Sequence, residues 1–235
     1  MKRLNQLLYC GIAMLFISFM PYQQKDNTLS EREKKEGWKL LFDGTTTNGW
    51  RHFKNKEADC WEVLNGELHC KETGVTKRAD LITTDQFENF ELLIDWKISP
   101  KYNSGIMYLV TEENNATFES GPEYQLIDDK CYPGKLSSKQ LTASNYDMHA
   151  PSADFTKPPG EYNHTRIVVN KGHVEHWLNG ARVVAYELWS AEWNQLKAGS
   201  KWKDVKNYGM SKKGHIALQD HGGGVYFKNI KIKLL

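Results

Sequence analysis

The segment from Thr165 to Leu188, TRIVVNKGHVEHWLNGARVVAYEL, decides the fold class. It contains three runs of strand-forming residues, separated by the dipeptides Lys-Gly (171–172) and Asn-Gly (179–180). A glycine at the second position of such a dipeptide is typical of a two-residue β-hairpin turn, in which both turn residues need positive φ. The segment therefore predicts three consecutive antiparallel strands.

Strand patterns also dominate the chain outside this segment. In the stretch NFELLIDWKIS, alternate apolar residues share one face, as in a half-buried strand: Leu92, Ile94, Trp96 and Ile98. Near the C-terminus the alternation changes phase close to Asn229. We expect either a β-bulge there or burial on both faces.

One helical pattern interrupts the strands. The stretch SAEWNQLKAG begins with Ser190, a residue type that caps helix N-termini, spaces Trp193 and Leu196 by three, and ends at Gly199. Many strands with turn signals at short intervals predict an all-β fold, a two-sheet antiparallel sandwich with one short helix.

The first 24 residues have the pattern of a secretory signal peptide, because Lys2 and Arg3 precede the apolar run LLYCGIAMLFISFMPY. An uncleaved membrane anchor is the alternative, since no A-x-A-like cleavage site is obvious. Residues 25–36 are polar and predict a linker or a short surface helix, and residues 37–235 form the predicted domain. We expect a periplasmic or secreted protein with no stable membrane span after cleavage.

The charge balance argues against a nucleic-acid partner. Removing residues 1–24 takes away Lys2 and Arg3 and leaves 29 basic residues against 29 acidic ones. A net charge of zero provides no basic field to attract phosphate backbones. The expected partner is therefore a small molecule or an oligosaccharide, with no nucleic acid.

Three cysteines would remain after cleavage, so at most one internal disulfide can form. An Asn-Gly turn between Cys60 and Cys70 predicts a hairpin in which Cys70 lies opposite Trp61. A Cys60–Cys70 bridge then needs a bulge, and both states of the pair stay open. Three cysteines without clustered histidines do not make a zinc site.

Three strand segments carry polar residues that core packing does not require. These residues are Asn103 and Ser104, then Glu123 and Gln125, and then Gln219, Asp220 and His221. Glu123 and Gln125 project side by side from one face of a strand, and such a carboxylate–amide pair suits the clamping of sugar hydroxyls. The alternative is a solvated strand face.

Three glycines, residues 222–224, follow His221 directly. Either they form a tight turn with an exposed histidine, or they remove side chains so that a ligand can lie against the backbone.

Metal ions and cofactors are not indicated. Four other histidines are expected to be surface or structural residues: His164, His173, His176 and His215. His173 and Glu175 share a strand face, but nothing nearby completes a metal set. A structural calcium ion would suit a sandwich loop, yet no Asp-rich run demands one.

Five blocks of sequence resemble the 3-keto-disaccharide hydrolase domain family, also called DUF1080: GWKLLFDGTTTNGW, NSGI, PEYQLIDD, KPPGEYNHTRIVVNKGHVEHWLNGARV and GHIALQDHGGGVYFKNIKI. The blocks follow the family's order and cover about Gly37 to Leu235. The resemblance implies a concanavalin A-like jelly-roll sandwich, exported by glycan-degrading bacteria. It also implies cleavage of glycosides whose sugar ring carries a ketone at C3.

The family's motif positions fall on a defined set of residues in this chain: Ser104, Gly105, Glu123, Gln125, Asp128, Asp220 and His221. Tyr146-Asp147 in TASNYDMHAP resembles a Tyr-Asp pair of the family. The segment KCYPGKLSSKQ is longer than the family pattern, which leaves the identity of the substrate open.

The chain lacks the second acid of an ordinary glycosidase, because Gln125 occupies that place. A ketone at C3 acidifies the C2 hydrogen, so that one base can remove it while the glycosidic oxygen leaves from C1, after which water adds. We hypothesise that Glu123 and His221 act as base or acid, with Asp220 orienting His221. Direct displacement remains the alternative to elimination.

Substrate contacts are expected from a wider set of residues: Asn103, Ser104, Gln125, Asp128, Tyr146, Gly222 and Gly223. Two other functions remain open, a non-catalytic lectin-like module and an interaction domain of the cell envelope. A lectin could use Trp189, Trp193 and Trp202 as an aromatic platform, although packing roles for these tryptophans are favoured.

Overall fold

The structure is a computed structural model that describes residues 25–235. The predicted signal peptide, residues 1–24, lies outside the described residues. Within residues 25–235 no helix is long and apolar enough to cross a membrane.

The described chain contains thirteen strands, two short α-helices and three 3₁₀ turns. The helices are α1 (Glu31–Lys35) and α2 (Ala191–Ala198). The strands are β1 (Lys39–Leu40), β2 (Trp50–His52), β3 (Trp61–Leu64), β4 (Glu67–Cys70), β5 (Leu81–Thr83), β6 (Phe90–Ile98), β7 (Asn103–Val110), β8 (Glu123–Ile127), β9 (Asn163–Asn170), β10 (His173–Leu178), β11 (Ala181–Glu187), β12 (His215–Leu218) and β13 (Val225–Leu234).

The strands form two antiparallel sheets, which confirms the predicted all-β sandwich. The larger sheet of eight strands has the order β11-β10-β9-β6-β13-β4-β3, with β1 paired to β13. The smaller sheet of five strands has the order β2-β5-β12-β7-β8. Strand β8 is therefore an edge strand of the smaller sheet.

The predicted hairpins are confirmed. Strands β9, β10 and β11 are consecutive neighbours, and both residues of each connecting turn have positive φ, at Lys171 and Gly172 and at Asn179 and Gly180. Both φ values are positive because this backbone twist matches that of the flanking strands.

The core lies between the two sheets. Strand β6 alternates strictly, and the four apolar residues predicted to share a face are buried: Leu92, Ile94, Trp96 and Ile98. From the smaller sheet, Ile106 and Tyr108 of β7 reach into the same core.

The phase change near the C-terminus is a β-bulge. The register between β13 and β6 shifts between Lys228 and Lys231, and Asn229 has φ of 52°. One additional residue moves the buried set from odd to even positions, so Phe227 and then Ile230 both face the core.

Residues 25–36 pack against the bulge instead of forming a free linker. The backbone N–H of Asn229 donates to Oδ1 of Asn27 at 2.8 Å, and Nζ of Lys228 donates to Asp26 at 2.7 Å. Helix α1 follows, with Ser30 accepting a hydrogen bond from the backbone N–H of Glu33 as its N-cap. The polar segment is thus a short surface helix with an anchored lead-in.

Helix α2 supports a column of stacked rings. Ser190 caps the helix, as predicted, and Trp193 stacks between Tyr186 and Tyr208, with ring centroids 5.4 and 5.8 Å away. Tyr208 in turn stacks on Trp202 at 4.3 Å. Trp193 and Trp202 are buried, so neither offers the sugar platform that a lectin would need.

A buried polar network joins the two sheets. His176 of β10 donates from Nδ1 to the Ala143 carbonyl at 2.9 Å and accepts at Nε2 from the Tyr108 hydroxyl at 2.8 Å. Burial lowers the pKa of His176 to about 3, which keeps the ring neutral and fixes these roles. His176 is therefore structural, as expected.

The three described cysteines are free. Cys70 lies opposite Trp61, as the hairpin register predicted. The thiols of Cys60 and Cys70 are both buried, and they donate to the Ala79 carbonyl at 3.4 Å and to Oδ1 of Asp220 at 3.3 Å respectively. Cys131 is exposed.

Thiol labelling tests this arrangement. In the folded protein a maleimide should modify Cys131 within minutes, whereas Cys60 and Cys70 should react only after denaturation, because burial blocks the access of the reagent to both thiols. Peptide mapping by mass spectrometry identifies each labelled cysteine. Recovery of a Cys60–Cys70 disulfide from unreduced protein would contradict the free buried pair.

Candidate active site

A polar cleft of about 160 Å³ opens on the outer face of the smaller sheet. Its walls come from β7, β8 and four loops, which follow β7, β8, α2 and β12. The lining residues are Asn103, Phe118, Glu123, Gln125, Tyr146, Lys201, Gln219 and His221. Five of these were predicted from sequence as catalytic or binding residues: Asn103, Glu123, Gln125, Tyr146 and His221. Gln219 was singled out among the polar residues of the strand segments, without an assigned role.

The register of β7 with β8 places the acid in the cleft. Gly105 lies opposite Gln125, and Met107 lies opposite Glu123. A Cβ at Gly105 would lie 2.4 Å from Oε1 of Glu123, so the carboxyl occupies the space that the missing side chain leaves. Because β-strand side chains alternate, Glu123 and Gln125 share the outer face of the sheet.

Glu123 is a buried acid, only 4% exposed. Burial raises its pKa to about 7, the cation of Lys201 opposes this rise, and the charge of Asp80 adds to it. No hydrogen bond to its carboxyl is formed by the described residues. A carboxyl group in this state is suited to exchange a proton near neutral pH.

Lys201 supplies the cation of the cleft. Its Nζ lies 4.0 Å from the Tyr146 ring centroid and 4.2 Å from that of Trp202. Burial among these groups lowers the pKa of Lys201, whereas Glu123 and Asp147 oppose the change. The ring faces hold the ammonium in place and leave its N–H groups free for an oxygen ligand.

A constrained turn positions Tyr146. Ala143 and Asp147 both have positive φ, 67° and 62°, which is uncommon for residues other than glycine. The Tyr146 N–H donates to the Glu123 carbonyl at 3.0 Å, and Asp147 accepts from the Lys201 N–H at 2.8 Å. The turn therefore ties the acid strand to the lysine loop, at a backbone cost that is typical of functional sites.

Three amide side chains surround the acid. The side-chain oxygen of Gln125 accepts a hydrogen bond from the Leu126 N–H at 3.0 Å. The buried side-chain oxygens of Asn103 and Gln219 have no hydrogen-bond partner within the described chain. The hydrogen bond to Oε1 of Gln125 therefore turns the NH₂ group of that amide toward the cleft. Together with Lys201, the amide groups offer donors to an oxygen-rich ligand.

Four predicted binding residues do not line the cleft: Ser104, Asp128, Gly222 and Gly223. Ser104 faces the opposite side of β7 from Asn103, where its hydroxyl donates to the Gln219 carbonyl at 2.8 Å. The Asp128 carboxylate accepts backbone N–H groups of Lys101, at 2.9 Å, and of Cys131, at 3.1 Å. Ser104 lies outside the cleft because alternate side chains of a strand point to opposite faces. Asp128 lies outside it because its carboxylate stabilises a turn.

The hypothesis that Asp220 orients His221 is wrong. The Asp220 side chain is only 1% exposed, and its Oδ1 accepts from Nη1 of Arg78 at 2.7 Å and from the Gly222 N–H at 3.0 Å. His221 is exposed at the cleft mouth and has no hydrogen-bond partner among residues 25–235. Consecutive residues point to opposite sides of the chain, so Asp220 anchors the loop from below while His221 faces solvent.

The glycine run mainly lets the chain pack on itself. All three glycines have positive φ, 99°, 96° and 76° in order. A Cβ at Gly223 would lie 2.3 Å from the Lys71 carbonyl oxygen, and one at Gly224 would lie 2.5 Å from the Tyr102 ring. Only Gly222 has open space, so a ligand-facing role stays available to Gly222 and not to Gly223.

Sequence reasoning missed Lys201 and Phe118. Lys201 lies in an irregular loop after α2, and Phe118 follows Thr117 in a short 3₁₀ turn; neither segment has a strand pattern or a recognised block. Within the described residues, no group of three or more His, Cys, Asp or Glu side chains is placed to hold a metal ion.

The antiparallel sandwich brings a buried acid, a cation and amide groups into one open cleft, an arrangement that suits a carbohydrate-active hydrolase. The chain belongs to the 3-keto-alpha-glucoside-1,2-lyase-like domain family, whose model matches residues 37–233. A 3-keto-disaccharide hydrolase from Bacteroides thetaiotaomicron is 36% identical over 230 residues, which cover 85% of this chain and 79% of that protein. The resemblance of the five sequence blocks is thereby confirmed.

Solved structures agree with this assignment. A candidate glycosyl hydrolase from Parabacteroides distasonis is 41% identical, with a TM-score of 0.84 over 90% of this chain and 100% of that chain. A second one from the same organism is 27% identical, with a TM-score of 0.67 over 84% and 99%. The Man3GlcNAc-bound lumenal domain of VIP36, 7% identical with a TM-score of 0.50 over 86% and 89%, shares the fold alone.

The burial of Glu123 makes stability depend on pH. In the unfolded chain a Glu has a pKa near 4.5, whereas folding raises that of Glu123 to about 7. Between these values only the folded state retains the proton, so wild-type stability falls as pH rises through this window, by about 3 kcal/mol at most. The melting temperature of Glu123→Gln should therefore exceed that of wild type by a margin that grows from pH 5 to pH 8. Glu57→Gln, at an exposed acid, is the control, and a pH-independent gap for Glu123→Gln would contradict the buried state.

The contact between Gly105 and Glu123 can be tested separately. Gly105→Ala should push the carboxyl out of its buried position, so that its pKa falls from about 7 toward 4.5. A ¹³C titration of side-chain carboxyls, assigned with Glu123→Gln, measures this change. Gly199→Ala is the control, because its Cβ would lie no closer than 3.7 Å to another atom. An unchanged titration in Gly105→Ala would show that the glycine does not seat the acid.

Proposed function

We propose that the protein cleaves glycosides whose sugar ring carries a ketone at C3, by eliminating the aglycone across C1 and C2 and then adding water. The observation that carries this proposal is a cleft with one buried acid, whose neighbour on the strand is an amide instead of a second acid. The names of the family and of the 36% identical relative support a 3-keto substrate and a bond change between C1 and C2.

The ketone explains why one carboxylate is sufficient. Ordinary glycoside hydrolysis needs an acid and a nucleophile or base on two sides of the bond. In a 3-keto sugar the hydrogen at C2 is adjacent to a carbonyl and is acidic enough for a single base to remove. Its electron pair then forms the C1–C2 double bond as the C1–O bond breaks, which leaves an enone and the aglycone.

Glu123 is assigned as the base. It lies inside the cleft, and a pKa of about 7 makes the ionised form available and also makes it basic enough to accept a carbon-bound proton. Activity that depends on ionised Glu123 should rise with pH through about 7. In the second half-reaction the protonated acid returns its proton to C2 as water adds at C1.

Lys201 and the amide groups are assigned to the enolate oxygen. Proton removal from C2 moves negative charge to the C3 oxygen, and the Lys201 ammonium with the Gln125 NH₂ can stabilise that charge in a partly enclosed site. Neither group needs to move, since the rings of Tyr146 and Trp202 hold the ammonium and the Leu126 N–H holds the amide.

His221 is assigned to the leaving group. Its position at the mouth suits a group that protonates the departing aglycone oxygen and then takes a proton from the incoming water. Asn103 and Gln219 would donate to ring hydroxyl oxygens.

We also infer that the protein acts outside the cytoplasm. The basic head and apolar run of residues 1–24 support export.

Parallel reactions test the proposal. A 3-keto glucoside with an unactivated alcohol as aglycone and its unoxidised parent are incubated with wild type, Glu123→Gln, His221→Ala and the control His173→Ala. We expect release from the keto substrate alone, a loss of ~10²-fold or more in the first two variants, and little change in the control. Release from the parent would contradict the keto requirement, and binding of both sugars without release would indicate a lectin.

A further inference from the structure

The Asp80 carboxyl lies beneath the cleft and joins two of its walls. Its Oδ1 accepts the Asp220 N–H at 2.9 Å, and its Oδ2 accepts a short hydrogen bond from the Thr117 hydroxyl. Thr117 immediately precedes Phe118, and Asp220 immediately precedes His221, so each hydrogen bond is one residue away from a side chain that lines the cleft.

Asp80 itself is held firmly in place. It precedes β5, its carbonyl accepts the Phe53 N–H at 2.9 Å, and the preceding Ala79 carbonyl accepts from Nε1 of Trp61 at 2.9 Å. The bound Thr117 is fully buried. The Asp80 carboxyl accepts hydrogen bonds from two separate loops, and its backbone is held rigidly directly before β5. It can therefore fix the positions of both loops.

We propose that Asp80 is a positioning residue for the reaction: its carboxyl fixes the Phe118 loop and the His221 loop, and both loops line the cleft that holds Glu123. This inference rests on the proposed function, because it concerns the same cleft. Asp80 touches none of the reacting atoms in this scheme and acts through Glu123 and the two loops.

Asp80 also has an electrostatic effect on Glu123, which depends on the charged groups around both carboxyls. Burial raises the pKa of Asp80, while the hydrogen bonds from Thr117 and Asp220 oppose this, and the charges of Asp220 and Lys56 also act on it. The other titratable groups electrostatically linked to Glu123 are Tyr146, Lys201 and Tyr208, and His221 lines the same cleft. Ionised Asp80 therefore favours the protonated form of Glu123.

Three variants separate the two effects. Asp80→Asn removes the charge and keeps both hydrogen bonds, because its carbonyl can accept from Asp220 and its NH₂ can donate to the Thr117 oxygen. Thr117→Val removes one hydrogen bond and keeps the charge. Asp59→Asn is the control, since Asp59 also accepts from a threonine hydroxyl, at 2.8 Å from Thr76, but lies outside the cleft.

Two readouts are measured on the full protein: the pH dependence of kcat/KM with the 3-keto glucoside, and the ¹³C titration of the Glu123 carboxyl without substrate. In Asp80→Asn, both the acidic limb and the titration should move to lower pH, by roughly half a unit, less than a charge in direct contact causes. Thr117→Val should leave both midpoints in place and lower kcat/KM about tenfold through the displaced wall. Asp59→Asn should resemble wild type.

Unchanged midpoints in Asp80→Asn together with unchanged kcat/KM in Thr117→Val would overturn the inference. If Asp80→Asn does not fold, Thr117→Val still decides the positioning role through kcat/KM at an unchanged midpoint. The carboxyl titration needs no substrate, so failure of the proposed function, seen as no turnover by wild type, is distinguishable from failure of this inference.

Discussion

The Glu123 carboxyl folds into the space above Gly105, and the cleft is organised around that contact. It requires the antiparallel register of β7 and β8, in which the glycine lies diagonally beside the acid, opposite Gln125. A side chain at residue 105 would push the Glu123 carboxyl into water. Its pKa would then be close to that of an ordinary surface glutamate. Burial on the edge strand β8 therefore disfavours the ionised form of Glu123. The Lys201 cation on the opposite wall of the cleft stabilises that ionised form.

Those walls are supported by the aromatic column. From Tyr186 through Trp193 and Tyr208 to Trp202, stacked rings extend from the larger sheet to the lysine loop, where Lys201 lies over the last ring and over Tyr146. Trp193 and Trp202, two of the three tryptophans considered for a lectin platform, are stacked in this column, and Trp202 contacts the Lys201 cation. A cation opposite one buried acid, with amides between, suits a substrate that develops negative charge on oxygen, such as an enolate.

The sequence predicted the sandwich well, because its signals are local. Alternation in β6, positive-φ turns around β10 and the phase change at Asn229 depend on nearby residues, and all three were confirmed. The cleft was predicted only in part, since Glu123, Gln125 and His221 lie in recognisable blocks, whereas Lys201 arrives through tertiary packing of a loop without a pattern. Asp220 was given the wrong partner because its contact, Arg78, is 142 residues away. Ser104 was placed in the site although alternation with Asn103 already directs it inward.

The fate of the hydrogen at C2 tests the central claim most directly. A 3-keto glucoside carrying deuterium at C2 is cleaved in ordinary water, and the ketosugar product is analysed by mass spectrometry and NMR. Elimination followed by hydration predicts a primary isotope effect on aglycone release. It also predicts solvent hydrogen at C2 of the product, to the extent that the Glu123 carboxyl exchanges its deuteron with water before returning it. Full retention of deuterium at C2, with no isotope effect, would mean that water displaces the aglycone directly and that Glu123 is not the base for this carbon.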